Sequence, residues 1–241
     1  MLQIAVINES TTMSDAEIAG MIGAFETQWN RDLSPVWSTP EAKFRLMAKG
    51  ENPDPAAWWL VFLDTSDQAN ALAYHDLTAA GLPLSKVFVK TIKEDGASIS
   101  VGATHELCEM AVDPWLNSAS QDHHGVFWAT EICDPVEDDQ YGYMIGNTLV
   151  SDFVTPDWFA HQFSKKSFDL GGHAMRSFEV LTGGYAQHFD AHRGWVQVTG
   201  SKAQHSARAI APAGSRRERR MRGSRLFVRS EPRWSLKARQ G

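Results

Sequence analysis

The sequence predicts an α/β (α+β) fold: a mixed sheet with a helix that carries the candidate site, then a small β-rich extension and a basic tail. Three observations predict it. Apolar runs of strand length and one amphipathic helix fill the first ninety residues. A second helix follows, containing His105-Glu106-Leu107-Cys108-Glu109. Beyond Gly200 the composition turns polar, small and then Arg-rich. With 241 residues and 43% hydrophobic content, the chain buries one core with appendages. The expected boundaries are residues 1–165, 166–200 and 201–241.

The elements follow from local pattern. Leu2-Gln-Ile-Ala-Val-Ile-Asn8 is a buried first strand. Ser14-Asp15-Ala16-Glu17 has capping-box spacing, and Ile18, Met21, Ile22, Phe25 and Trp29 recur at helical intervals, so one amphipathic helix is expected to end before Pro35. A second strand is expected over Lys43–Ala48. The continuous apolar run Ala57–Asp64 fits a central strand covered on both faces. Ala71–Asp76 is short with polar flanks, as on a sheet edge, and Lys86–Lys90 is a further strand. A helix begins near Ser100, buries Val101, Cys108 and Val112, and stops at Pro114. Tyr141–Ile145 and Thr148–Phe153 flank Gly146-Asn147 as a hairpin with a two-residue turn. Residues 178–198 hold turn and strand material around Gly183-Gly184-Tyr185.

Charge and composition exclude several classes. The net charge of −6 divides unevenly: residues 201–241 carry twelve Lys and Arg against two acids, or +10, and residues 1–200 carry eleven against 27, or −16. Such a tail suits nucleic acid or an acidic protein surface as a partner, or is a solvated end. No signal peptide is expected, because the opening residues lack a basic segment and Asn8-Glu9 breaks the apolar run. No apolar stretch has the length of a membrane span, so no membrane partner is expected. Cys108 and Cys133 are too few for a disulfide framework.

The chemistry concentrates at residues 105–134. Two side chains four apart on a helix share a face one turn apart, so His105 and Glu109 can hold one metal ion while Glu106 lies beside it. Zinc peptidases use this spacing as His-Glu-x-x-His, with the Glu as general base on an activated water. Here Glu109 replaces the second His. A catalytic site needs a third protein ligand. Glu131-Ile132-Cys133-Asp134 supplies candidates in Glu131 and Asp134, with Asp113 and the softer Cys133 also available. The expected cofactor is a divalent metal, zinc first, with calcium or another hard cation as the alternative.

The order of strand, helix, strands, edge strand and His-Glu helix resembles the zincin-like metallopeptidases, whose edge strand lies over the metal and binds extended peptide. The motif His105-Glu-Leu-Cys-Glu-Met-Ala-Val-Asp-Pro114 with Glu131-Ile-Cys-Asp134 is also similar to plant EXORDIUM-like proteins. Tyr74-His75-Asp76-Leu77-Thr78, Gly183-Gly184-Tyr185 and the Gly214–Arg220 segment resemble proteins encoded beside tailed-phage structural genes. The resemblances imply a zincin-like fold and a location in host cytoplasm or virion. They also imply one of two functions: a metal-dependent hydrolase acting on peptide or protein, or a virion structural and assembly protein anchored by its tail.

Other residues carry weaker signals. His75 either points from the edge strand at substrate or is a hydrogen-bonded structural residue. His123-His124 lies in a polar loop. Asp134, Glu137, Asp138 and Asp139 form an acidic cluster without EF-hand spacing.

Overall fold

A computed structural model describes residues 1–68, 71–160 and 167–200. The expectations for residues 201–241 lie outside the described residues.

The chain opens with β1 (Leu2–Asn8) and α1 (Asp15–Thr27). Ser14 caps α1 as the sequence predicts, its hydroxyl accepting from Glu17 N–H while the Glu17 carboxylate accepts from Ser14 N–H. The helix does not end before Pro35. A π-helical turn (Gln28–Leu33) passes into α2 (Ser34–Trp37). The turn shifts the hydrogen-bond register, with Ser34 N–H bonded to Trp29 O. Pro35 therefore falls in the first turn of α2, where its missing N–H is no loss.

Four strands follow: β2 (Ala42–Leu46), β3 (Trp58–Leu63), β4 (Ala73–Leu77) and β5 (Pro83–Phe88). The strand expected at Lys86–Lys90 instead begins at Pro83, because a proline is tolerated as the first strand residue. It ends at Phe88, because Val89 and Ile92, both buried and three apart, belong to α3 (Val89–Asp95). Next come α4 (Ile99–Val112), β6 (Ala119–Gln121), β7 (Phe127–Ala129) and two 3-10 turns, Asp134–Val136 and Asp139–Tyr141. The hairpin β8 (Tyr143–Ile145) and β9 (Thr148–Val150) turns at Gly146 (φ 59°). Then come α5 (Pro156–Phe159), β10 (Tyr185–Asp190) and β11 (Gly194–Thr199).

The main sheet has the order β2-β1-β3-β5-β4, parallel except for β4, which runs antiparallel to β5 at one edge. Its central strands alternate between two faces, as period-two geometry requires. Ile4, Val6, Leu60, Phe62 and Val87 point to the face covered by α1 and α4, where Ile18, Phe25, Leu107 and Met110 meet them. Ala5, Ile7, Val61 and Leu84 form a smaller cluster on the other face. A second sheet, β11-β10-β7-β6, joins residues from the extension to those just after α4. Phe168, Ala174 and Ala186 belong to the same apolar cluster as Ile4 and Leu107. Mixed helix and sheet in one core is the α+β class that the pattern predicts. No helix among the described residues is long and apolar enough to cross a membrane.

Candidate metal centre

Helix α4 is buried on nearly all sides, not along one stripe, and its polar residues are buried with the rest: Thr104, His105, Glu106 and Glu109. Sheet register explains where they point. His75 on β4 pairs with Ser85 on β5, so both side chains face α4. The Ser85 hydroxyl donates to Glu106 O at 3.1 Å, which seats the middle of the helix on the sheet. His75 Nδ1 then lies 3.3 Å from Glu106 Oε2 and 3.5 Å from Glu109 Oε2, and its Nε2 lies 3.7 Å from Glu131 Oε2.

The opposite wall is the segment after β7. Val154 N–H donates to Ile132 O at 2.7 Å, and Cys133 N–H donates to Glu109 Oε1 at 3.3 Å. The 3-10 turn at Asp134, with Pro135 in its first turn, reverses the chain and brings Asp134 Oδ1 to 3.2 Å from His105 Nε2. Glu109 Oε1 is 3.3 Å from the same nitrogen. His105, Glu109 and Asp134 each offer one ligand atom within 4.8 Å of the others, and so do His75, Glu109 and Glu131. Two overlapping groups thus share Glu109. Glu106 borders both, with Oε1 4.0 Å from His105 Nε2.

A close backbone approach holds the Asp134 turn. A Cβ on Gly184 would lie 2.5 Å from Pro135 O and 2.7 Å from Asp134 O, and Leu181 N–H donates to Pro135 O at 2.9 Å. The Gly183-Gly184-Tyr185 motif is therefore a packing surface for the turn that carries Asp134. Gly184→Ala is expected to cost about 1–3 kcal/mol through overpacking and to weaken metal binding by moving Asp134. Thermal melts with zinc titration check this; unchanged Tm and affinity would show that the contact does not hold Asp134 in place.

Burial and charge set the chemistry of these residues. Glu106, Glu109, Glu131 and Asp134 are all at most 2% exposed. Four buried carboxyl groups meet two imidazoles, and charge held away from water without a partner is costly. His105 responds to these neighbours. Burial pushes its pKa down, but the Glu109 charge, the Asp134 hydrogen bond and Glu106 together raise it well above the usual histidine value. One imidazole nitrogen and two carboxylate oxygens suit zinc, and the oxygen share also admits harder ions.

The other candidates lie elsewhere or act otherwise. Cys133 and Cys108 are buried free thiols, and burial together with the Cys108 contact pushes the Cys133 thiol well up. Asp113 closes the turn after α4, accepting from Asn117 and Ser118 N–H at 2.9 and 3.0 Å. His123 and His124 are exposed at the turn between β6 and β7. In the acidic cluster, Asp138 caps the turn at Asp139, whose carboxylate accepts from Ser98 N–H at the start of α4. His75 is the residue whose part the sequence leaves open. Its signal was the period-two alternation of an edge strand beside the His-Glu helix.

Fold and site together define an α+β protein with a buried imidazole–carboxylate centre on one helix, one edge strand and one 3-10 turn. No protein-family model, curated protein or solved structure matches the chain.

Proposed function

We propose that this protein is a zincin-like metal-dependent hydrolase of the peptidase type. The observation that carries the reading is the convergence of His105, Glu109 and Asp134 around one nitrogen at 3.2–3.3 Å, with Glu106 alongside. The sheet order supports it: a parallel sheet with one antiparallel edge strand, β4, leading through β5 to the His-Glu helix is the element order of the zincin resemblance.

His105, Glu109 and Asp134 would hold the ion, and Glu131 with His75 would flank it through Glu109. When bound, the ion supplies Lewis-acid activation of water. Glu106 accepts the proton from the attacking water at a carboxylate oxygen and returns it to the leaving amine. His75, bonded to Glu106 Oε2, orients that carboxylate. Among the described residues β4 pairs only with β5, which leaves its other edge for an extended peptide to add as a strand.

The test is hydrolysis of a fluorogenic peptide library by the full chain. Cleavage is expected to stop with chelator, return with zinc and be absent from His105→Ala. Equal cleavage in chelator or in the variant would contradict the reading. A second reading draws on one observation, the burial of the centre, with His105 5% exposed and Glu109 and Asp134 at 0%. Under it the protein is a non-catalytic virion structural or assembly protein, with the ion as an internal staple and residues 201–241 as an anchor. It predicts metal binding without hydrolysis, so the same assay separates the two.

A further inference from the structure

Away from α4, the chain assembles a third group of ligand-bearing side chains. Asp152 follows β9, Asp169 forms an isolated β-bridge with Val154, and His173 ends the loop Asp169-Leu170-Gly171-Gly172-His173. One ligand atom from each of Asp152, Asp169 and His173 lies within 4.8 Å of the other two. The two carboxyl groups are 0% and 1% exposed, so two acids share a buried site, and burial with the Asp169 contact pushes Asp152 up to about 8.

Their hydrogen bonds are unequally spent. Asp169 is fully engaged in shaping its loop, accepting from the Ser167 hydroxyl and Ala174 N–H at Oδ1 and from His173 N–H at Oδ2. Asp152 uses only Oδ1, which accepts from Phe153 N–H at 2.7 Å and Gly171 N–H at 3.1 Å. Asp152 Oδ2 is buried and has no hydrogen-bond donor. A buried carboxylate oxygen left this way costs free energy comparable to a lost charged hydrogen bond.

What faces Asp152 Oδ2 is ligand chemistry and space. A Cβ on Gly171 would lie 2.7 Å from Asp152 Oδ2 and 2.7 Å from His173 Nε2. The absent side chain at 171 is thus what lets the carboxylate and the imidazole approach each other. The His173 ring is steadied by Tyr141, with ring centroids 5.2 Å apart. A buried oxygen without a donor, a second carboxylate and an imidazole at the rim meet at a glycine. That combination suits a cation, whereas packing alone would not call for it.

We propose that Asp152, Asp169 and His173 form a second divalent-cation site that takes a transition-metal ion of the zinc or manganese type. The site does not depend on the hydrolase reading. It shares no ligand with the centre on α4, and it would tie the segment after β9 to the 167–174 loop. Ser151, the residue before Asp152, donates from its N–H to Thr104 Oγ1 on α4, so an ion here would also brace the helix next to His105.

The experiment is equilibrium dialysis of the full chain, stripped with chelator, against zinc and separately against manganese, with metal content measured per chain. His105→Ala is expected to keep one equivalent. Adding Asp152→Asn to it is expected to weaken that remaining binding at least tenfold, as is Gly171→Ala, whose methyl would occupy the gap. In chelator, Asp152→Asn is expected to melt no lower than wild type, because an amide can donate to Asp169 without first taking up a proton. Equal metal with and without Asp152→Asn, or a folded His105→Ala protein that retains none, overturns the proposal. Should His105→Ala fail to fold, wild type against His173→Ala decides, since that side chain is exposed: loss of one equivalent supports the site and no loss overturns it. If His105→Ala and wild type both bind one equivalent and Asp152→Asn removes it, this site stands and the α4 centre falls.

Discussion

Glu106→Gln is expected to keep its metal and lose about 10²- to 10⁴-fold in hydrolysis, the usual contribution of a positioned general base. Gln keeps the shape and the backbone bond from Ser85 to Glu106 O, so the helix stays seated on the sheet. It lacks the negative oxygen that accepts a proton. His105, Glu109 and Asp134 remain as they were, so metal content per chain should match wild type. The substitution also removes one of four buried carboxylates, which relieves repulsion, so Tm is not expected to fall. Initial rates and metal content measured on the same preparation check this. Undiminished turnover would rule Glu106 out as the base, and lost metal would make it a ligand instead.

Trp158→Ala is expected to cost about 3–5 kcal/mol, the range for emptying a large aromatic site in a core. Trp158 is 1% exposed and meets three aromatic rings, Trp128, Phe159 and Phe178, at centroid distances of 6.2, 4.8 and 5.2 Å. Its indole N–H donates to Glu179 O at 2.8 Å, and Phe178 N–H donates to its backbone oxygen at 3.1 Å. One side chain therefore joins α5, β7 and the 178–179 segment. Its loss opens a cavity and leaves the half-buried Glu179 carbonyl without its donor. Thermal or urea unfolding gives the size of the effect, a Tm drop on the order of 10 °C for a chain of this length. A loss below about 1 kcal/mol would mean that residues 167–200 are not held to the core through this contact.

Much of the fold was legible because its signals are local. The Ser14 capping box, the apolar run of β3, the Gly146-Asn147 turn and the Pro114 stop each act within a few residues. The helical stretch through Pro35 was not legible, because it continues through a π-turn, with Ser34 N–H bonded to Trp29 O, that no residue spacing announces. The start and end of β5 were missed for a related reason: its apolar residues continue without a break into α3. At the site, the spacing of His105, Glu106 and Glu109 already puts them on one helix face. That Asp134 and Glu131 both come to Glu109 could not be read from spacing. The place of Asp134 depends on a 3-10 turn held from behind by Gly184, some fifty residues downstream. The part played by His75 depends on its register with Ser85 across the sheet edge. Asp152, Asp169 and His173 come together through a β-bridge and a glycine gap that no periodicity announces.

The most direct test is crystallography of the full chain grown with zinc, recording anomalous scattering at the zinc edge. A peak is expected at about 2.0–2.2 Å from His105 Nε2 and from carboxylate oxygens of Glu109 and Asp134, with Glu106 beside it but not ligating. A zinc-loaded crystal with no peak between His105, Glu109 and Asp134 would contradict the metal centre on which the proposed function rests.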